Sequence, residues 1–350
     1  MNKTSLKRSL GWFAIFTLNR LRGRSFVPHP RGSVFIETTS HCNLGCRFCS
    51  YEKHVRSRTT MESGLFTDVV DQVAAAGFRH LWLTPQTGDV FTDKSFLRRV
   101  EAVEASAVPS FSFYTNLIGA SGDQIEALAA TPKLREFHVS LYGEDEARFV
   151  ATARRPAAQF ERLLRNLDHM AAIPAWRSRL VLTLRTGKHF RQEGWTGPLA
   201  ERVAVLRQRH GAGFDCVTEY DSWGGLITPD DVAGLDIDIT DGAPFYRRGA
   251  CIRAVGAAQI MADGTVNACA CRDPSGALRI GHVREAPLDW ILSAANPAYA
   301  TLLDNMDGGV FPDPCRHCSV YRSVYDHRWA AGSSDPLVSL EELWQLMGKE

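Results

Sequence analysis

The sequence predicts an α/β fold: a partial (β/α)6 barrel followed by a C-terminal β-hairpin-plus-helix extension. Three observations carry this. From residue 33 onward, short β-branched or aromatic runs alternate six times with helical patterns, as parallel β/α units do. A stretch rich in Asp, Gly and Pro, 226–250, then breaks the alternation and reads as a linker. Beyond it, Gln259-Ile260-Met261 and Thr265-Val266-Asn267 flank Ala262-Asp263-Gly264, and Asp-Gly between apolar runs signals a hairpin. The expected divisions are an N-terminal amphipathic helix and lead-in (1–32), the barrel (33–225), the linker (226–250), the extension (251–328) and a C-terminal helix (329–350). A chain of 350 residues suits one barrel with an appendage.

At the N-terminus, Lys3, Lys7 and Arg8 precede an apolar stretch from Leu10 to Leu18, and Asn19, Arg20, Arg22 and Arg24 follow it. No small-residue cleavage site is present, and about nine apolar positions are too few to span a bilayer. Leu6, Leu10, Phe13, Thr17 and Leu21 share one helical face. The first expectation is a helix that closes one end of the domain, with contact to a membrane surface as the alternative.

The six strand segments are Ser33 to Thr38, Arg79 to Thr84, Pro109 to Thr115, Arg135 to Leu141, Arg179 to Arg185 and Phe214 to Tyr220. Helical patterns follow the first five near 61–76, 93–106, 122–130, 157–170 and 198–210, with Gly77 and Gly211 as stops. Leu337 to Met347, introduced by Ser334, Asp335 and Pro336, reads as the closing amphipathic helix. In (β/α) barrels the active site is built from loops at the C-terminal strand ends.

Forty basic residues against 39 acidic ones leave a net charge of +1, so nothing electrostatic favours nucleic acid as a partner. Seven of the nine cysteines fall into two spaced groups. That usage points to metal binding in a reducing cytoplasm, not to a disulfide framework.

The first group is His41-Cys42-Asn43-Leu44-Gly45-Cys46-Arg47-Phe48-Cys49. Three thiolates at this spacing cap three irons of a cubane and leave the fourth open to a chelating small molecule. A zinc site needs a fourth ligand, and His41 is awkward for that role because adjacent residues on an extended segment point in opposite directions. The C-x-x-x-C-x-x-C loop, with an aromatic before its last Cys, resembles the radical S-adenosylmethionine (SAM) family. The resemblance implies a [4Fe-4S] cluster whose open iron is chelated by SAM. It also implies cleavage to a 5'-deoxyadenosyl radical that abstracts hydrogen, and a flavodoxin- or ferredoxin-type reductant.

It further implies that Thr87-Gly88-Asp89 stands where the family has Gly-Gly-Glu-Pro, with Asp89 as partner of the SAM ammonium. This is a departure, since Thr replaces the first Gly, Asp is a methylene shorter and no Pro follows. Asn116, in a Thr-Asn pair, matches a ribose contact, and Ser140 begins Ser-Leu-Tyr-Gly where the family has Ser-Leu-Asp-Gly. Arg154, six residues before Phe160, matches a carboxylate-binding arginine, with Arg155 the alternative. Phe48 presents its backbone to the adenine.

In the second group Cys251 and Cys269 are separated by seventeen residues, and Cys315 and Cys318 form a C-x-x-C. With the Ala-Asp-Gly hairpin and Ile280-Gly281-His282-Val283, this segment resembles the twitch/SPASM-like extension of radical SAM enzymes, which carries auxiliary [4Fe-4S] clusters. Val324 and Arg328 stand where a complete SPASM domain has two more cysteines, so the resemblance implies one auxiliary cluster, as in the shorter twitch form. A zinc site with four cysteine ligands is the alternative, and Cys271 is a reserve ligand.

These features lead to a radical SAM oxidoreductase acting on a hydroxylated small molecule such as a sugar or aminocyclitol, oxidising an alcohol carbon. Arg185 is placed to contact SAM or substrate, and Glu219, Asp221 and Trp223 are candidates for hydroxyl recognition. Epimerisation, with Cys216 returning a hydrogen, is a second expectation. Peptide modification ranks lower because 32 residues before the first strand are few for a leader-binding domain, and a non-enzymatic zinc scaffold ranks last.

Overall fold

All six expected strands form. They are β1 (Ser33–Ile36), β2 (His80–Trp82), β3 (Ser110–Thr115), β4 (Leu134–Tyr142), β5 (Leu180–Arg185) and β6 (Gly213–Val217). The computed structural model describes residues 33–324 except His54, Arg177 and Phe245, together with Leu10, Ala14, Thr17, Leu18, Leu21, Phe26–Pro28 and Leu337–Ser339.

The intervening helices are α1 (Ser63–Ala75), α2 (Phe96–Ala105), α3 (Gly122–Ala129), α4 (Glu146–Ala153), α5 (Ala157–Ala172) and α6 (Pro198–His210). Gly77 and Gly211 take positive φ just past α1 and α6, where a side chain would be strained. Helix α4 was not anticipated from the sequence. Asp145 caps it by accepting from Arg148 N.

β1 to β6 pair in parallel in chain order, and the sheet stays open as a partial barrel. The hairpin extension is continuous with it. β7 (Ala257–Ile260) lies parallel to β1, with Ala257 opposite Ser33 and Ile260 opposite Ile36. β8 (Thr265–Asn267) and β9 (Arg279–His282) then follow antiparallel, giving a nine-stranded sheet. Gly264 turns the β7–β8 hairpin at φ 96°.

The core lies between the outer face of this sheet and the helices. Phe113 and Phe137 on adjacent strands stack edge to face at 4.6 Å, and Trp176 meets Phe137 at 5.1 Å. All three are fully buried, and each such ring contributes about 1.5–3 kcal/mol of burial free energy. The other strand face lines the barrel interior, where the site forms.

Two terminal expectations change. Leu337–Ser339 is a strand paired antiparallel with Phe26–Pro28, not the first turn of a helix. Backbone pairing with a distant segment decides the conformation there, while the rest of the expected helix lies outside the described residues. Leu10, Ala14, Thr17, Leu18 and Leu21 are helical, but Leu10 and Leu21 are 60% and 80% exposed. Those described positions therefore do not close the core, and Leu6 and Phe13 of the same face lie outside the described residues. Among the described residues no helix is long and apolar enough to cross a membrane.

Candidate active site

The chain leaves β1 through a buried Glu37-Thr38-Thr39-Ser40 run and enters the first cysteine loop. Backbone bonds hang this loop on the end of α4: Gly45 N donates to Ala153 O and Arg47 N to Thr152 O, both at 3.0 Å. The Tyr51 hydroxyl accepts from Cys42 N at 2.9 Å and donates to Cys42 O at 3.1 Å. Leu44 N donates to Cys42 Sγ at 3.4 Å. Burial pushes the Cys42, Cys46 and Cys49 thiols up, so three thiolates here need an added positive charge to persist.

The three cysteines line a cavity of about 380 Å³ at the C-terminal strand ends. Phe48, Thr87, Gly88, Asp89, Asn116, Ser140 and Arg185, all expected site residues, line it too. A Cβ on Gly88 would lie 2.9 Å from His41 O and 3.0 Å from Thr39 O, and its φ is +141°. Only glycine fits there.

Asp89 is 2% exposed. Its carboxylate accepts from Phe91 N at 3.0 Å, Thr115 Oγ1 at 2.9 Å and Asn116 N at 2.6 Å. Burial raises its pKa, those donors lower it, and the net shift is upward. Among the described residues no cationic side chain pairs with it. Asn116 Nδ2 donates to Asn43 Oδ1 at 2.7 Å, tying β3's end to the cysteine loop. The Phe48 ring packs 4.5 Å from Tyr220 and 5.9 Å from Tyr142.

Two expected residues fall elsewhere. Arg154 ends α4 in the left-handed region at φ 54°. It lines a neighbouring polar hollow of about 430 Å³ with Glu52, Lys53 and Asp230, which meets the cavity only at Cys46 and Cys49, and Arg154 itself does not line the cavity. Arg155 braces the loop instead, its Nε donating to Asn43 O at 2.7 Å. Cys216 stands beside buried Leu184, one residue before Val217 in β6. Val217, next to Arg185, lines the cavity. The pleat therefore turns Cys216 to the helix side, and it is withdrawn as hydrogen donor. The side chain of Arg185 makes no hydrogen bond or ion pair with any described residue, while its backbone carbonyl accepts from Gly143 N at 2.8 Å.

The second group also gathers. Cys251 caps a short helix, Ile252–Gly256, and faces Ser323 across a β-bridge. Cys269 follows β8, while Cys315 lies within the Asp313–His317 helix and Cys318 at its C-terminal cap. Burial raises all four thiols, Cys318 to about 12, and their mutual proximity adds to the rise in Cys269, Cys315 and Cys318. Cys271 N donates to Cys269 Sγ at 3.3 Å, and Cys271, unlike Cys269, lines the first cavity.

Sequence reasoning missed the contacts that join the two groups. Gln86 Nε2 donates to Cys269 O at 2.6 Å. Arg56 pairs with buried Glu37 and also reaches Pro274 O at 3.0 Å. Arg272 Nε meets Asp221 Oδ2 at 2.6 Å in the cavity wall. The position of Gln86 beside Thr87 and of Arg272 beside Cys271 was the available signal.

Residues 36–184 match the Radical SAM superfamily. The chain carries a radical SAM domain. Among solved structures it resembles BtrN in complex with AdoMet and 2-DOIA, at 13% identity and a TM-score of 0.52, covering 84% of this chain and 94% of that one. It also resembles Streptococcus suis SuiB bound to S-adenosylmethionine, at 12% identity and a TM-score of 0.55, covering 84% and 70%. A third likeness is anSMEcpe with bound AdoMet and Cp18Cys peptide, at 11% identity and a TM-score of 0.52, covering 79% and 84%. At these identities the likeness is one of fold. Comparison with curated proteins gives no match in sequence.

The radical SAM family uses SAM and a [4Fe-4S] cluster, and the site's donors suit both. Three thiols are set around the cavity wall, whereas among the described residues no three His, Cys, Asp or Glu side chains converge on one point as ligands of a single ion. Ser50 Oγ, next to Cys49, is buried without a partner, a donor available to a sulfide or thiolate. Asp89 offers an uncompensated carboxylate to a cation.

Proposed function

We propose that the chain is a radical SAM oxidoreductase that oxidises an alcohol carbon of a hydroxylated small molecule, such as a sugar or aminocyclitol. Cys42, Cys46 and Cys49 hold the SAM-binding cluster, and Cys251, Cys269, Cys315 and Cys318 hold one auxiliary [4Fe-4S] cluster. When bound, these groups supply reductive cleavage of SAM to a hydrogen-abstracting 5'-deoxyadenosyl radical and a place for the electron left on the substrate.

The observation that carries the reading is Asp89, a buried carboxylate without a cation, beside three thiols, one buried and two half-buried, in one cavity. A buried charge of this kind is stabilised only by a partner, and the ammonium of SAM supplies it. Arg185, in the cavity and with no described partner for its side chain, takes the SAM carboxylate in place of Arg154, which does not line the cavity. Asn116 and Ser140 orient the ribose, and the Phe48 backbone the adenine. Glu219 lines the same cavity, is exposed and pairs with no described residue. It is placed to accept the substrate's hydroxyl proton. Electrons come from a flavodoxin- or ferredoxin-type protein of the cytoplasm.

Epimerisation is the second reading, favoured by the Cys271 thiol in the cavity wall, which takes the hydrogen-donor role that Cys216 cannot fill. Anaerobic reconstitution followed by iron counting and a SAM-cleavage assay tests the main proposal. About eight irons and 5'-deoxyadenosine are expected. A colourless zinc protein that leaves SAM intact would sink it.

A further inference from the structure

The Arg272–Asp221 ion pair stands between the two cysteine groups. Arg272 comes from the loop of the second group, where its Nη1 donates to Cys271 O at 2.8 Å. Its Nε bonds Asp221 Oδ2 at 2.6 Å, and its guanidinium lies 4.6 Å over the Trp223 ring. Asp221 is fixed from its other oxygen by Trp223 N at 2.8 Å. The residue before it, Tyr220, packs its ring 4.5 Å from Phe48, which sits between Cys46 and Cys49. A continuous set of contacts therefore runs from the second cysteine loop through Arg272, Asp221, Tyr220 and Phe48 to the first.

The pair is half-buried. The side chains of Arg272 and Asp221 are 27% and 12% exposed, and both line the cavity. Arg272's positive charge acts on Cys49 of the first group and on Cys318 of the second, as well as on Cys271 beside it. Charges in such a site are screened less than on an open surface. A fixed cation near an iron-sulfur site favours the state with one more electron, and a fixed anion opposes it; net charge is among the main determinants of cluster potential.

We propose that Arg272 is a shared counter-charge holding up the reduction potentials of both iron-sulfur sites, with Asp221 opposing it, so that the two potentials move together. This rests on the two-cluster reading. Arg272 is a positioning residue here, acting through its charge and its hold on the Cys271 carbonyl.

The test is an EPR-monitored potentiometric titration of the reconstituted full-length protein, with titanium(III) citrate as the one-electron reductant. Arg272→Gln should make both sites at least tenfold harder to reduce at a fixed potential, about 59 mV for a one-electron couple. Asp221→Asn should shift both the other way, and Arg272→Lys should return most of the Arg272→Gln loss. Unmoved potentials overturn the proposal, as does a lysine variant that behaves like the glutamine one. Loss of about four irons in Arg272→Gln would also overturn it, making the residue a structural support. Failure of the two-cluster reading looks different: the unmodified protein would itself hold fewer than about eight irons.

Discussion

Replacing Asp89 by Asn keeps the shape of the side chain and removes its charge, which separates two consequences. Asp89 accepts from two backbone N–H groups, Phe91 N at 3.0 Å and Asn116 N at 2.6 Å, and from the Thr115 hydroxyl. An amide offers one acceptor oxygen where the carboxylate offers two. If that oxygen keeps the short Asn116 bond, the new NH₂ faces Phe91 N–H, and one buried donor goes unpaired at a cost of about 1–3 kcal/mol. The Thr115 hydroxyl can rotate to accept, so the damage stops there. The second consequence concerns SAM. An ammonium about 4 Å from the carboxylate gains roughly 4 kcal/mol at an effective dielectric near 20. Part of that is offset by desolvation of the ammonium, leaving about 3 kcal/mol, or roughly a hundredfold in affinity. The assay is equilibrium SAM binding to reconstituted Asp89→Asn protein, normalised to iron content, beside a denaturant melt without SAM. Loss of stability with SAM affinity kept within about threefold would refute the ammonium assignment, since 3 kcal/mol cannot hide in that margin.

Arg185→Ala should weaken SAM binding about tenfold or more, as expected for loss of a charge-assisted bond, while Arg154→Ala leaves it unchanged; isothermal titration of both variants decides, and the opposite ranking would restore Arg154. Cys269→Ser should lower the iron count to about four and Cys271→Ser should keep about eight, so the reverse pattern would make Cys271 the ligand. In metal-free protein the buried thiols are raised above their ordinary value of 9.0, Cys318 to about 12. Protons stay on in the folded state while the unfolded chain loses them, so this contribution is whole below pH 9 and is lost progressively towards pH 12. Thermal melts of the chelated protein should therefore fall across that window more steeply than those of the reconstituted protein, and parallel curves would contradict the assignment.

Much of the site was legible because its signals are local. Strand runs fix where the C-terminal ends lie, the cysteine spacing is contained in one loop, and Thr87-Gly88-Asp89 follows β2 directly. What was not legible depends on contacts distant in sequence or on strand phase. Arg154 looked like a SAM ligand by its place before Phe160, but α4 ends on it at φ 54°, which carries it to another hollow. Cys216 is one position from Val217, which lines the cavity, and a strand residue one position off faces the opposite side. Leu337–Ser339 carries a helix-like pattern, yet its backbone pairs with Phe26–Pro28, a partner no periodicity can announce. Arg272 gave no motif at all, since its meaning lies in Asp221.

The parallel pairing of β7 with β1 also bears on biosynthesis. The first barrel strand to leave the ribosome waits, with one edge bare, for a neighbour encoded more than two hundred residues downstream. An exposed edge is a template for aberrant pairing, so a truncated product ending within the linker would keep that flank open and tend to aggregate. Barrel and appendage are for this reason a single unit of manufacture, whatever their separate chemical duties.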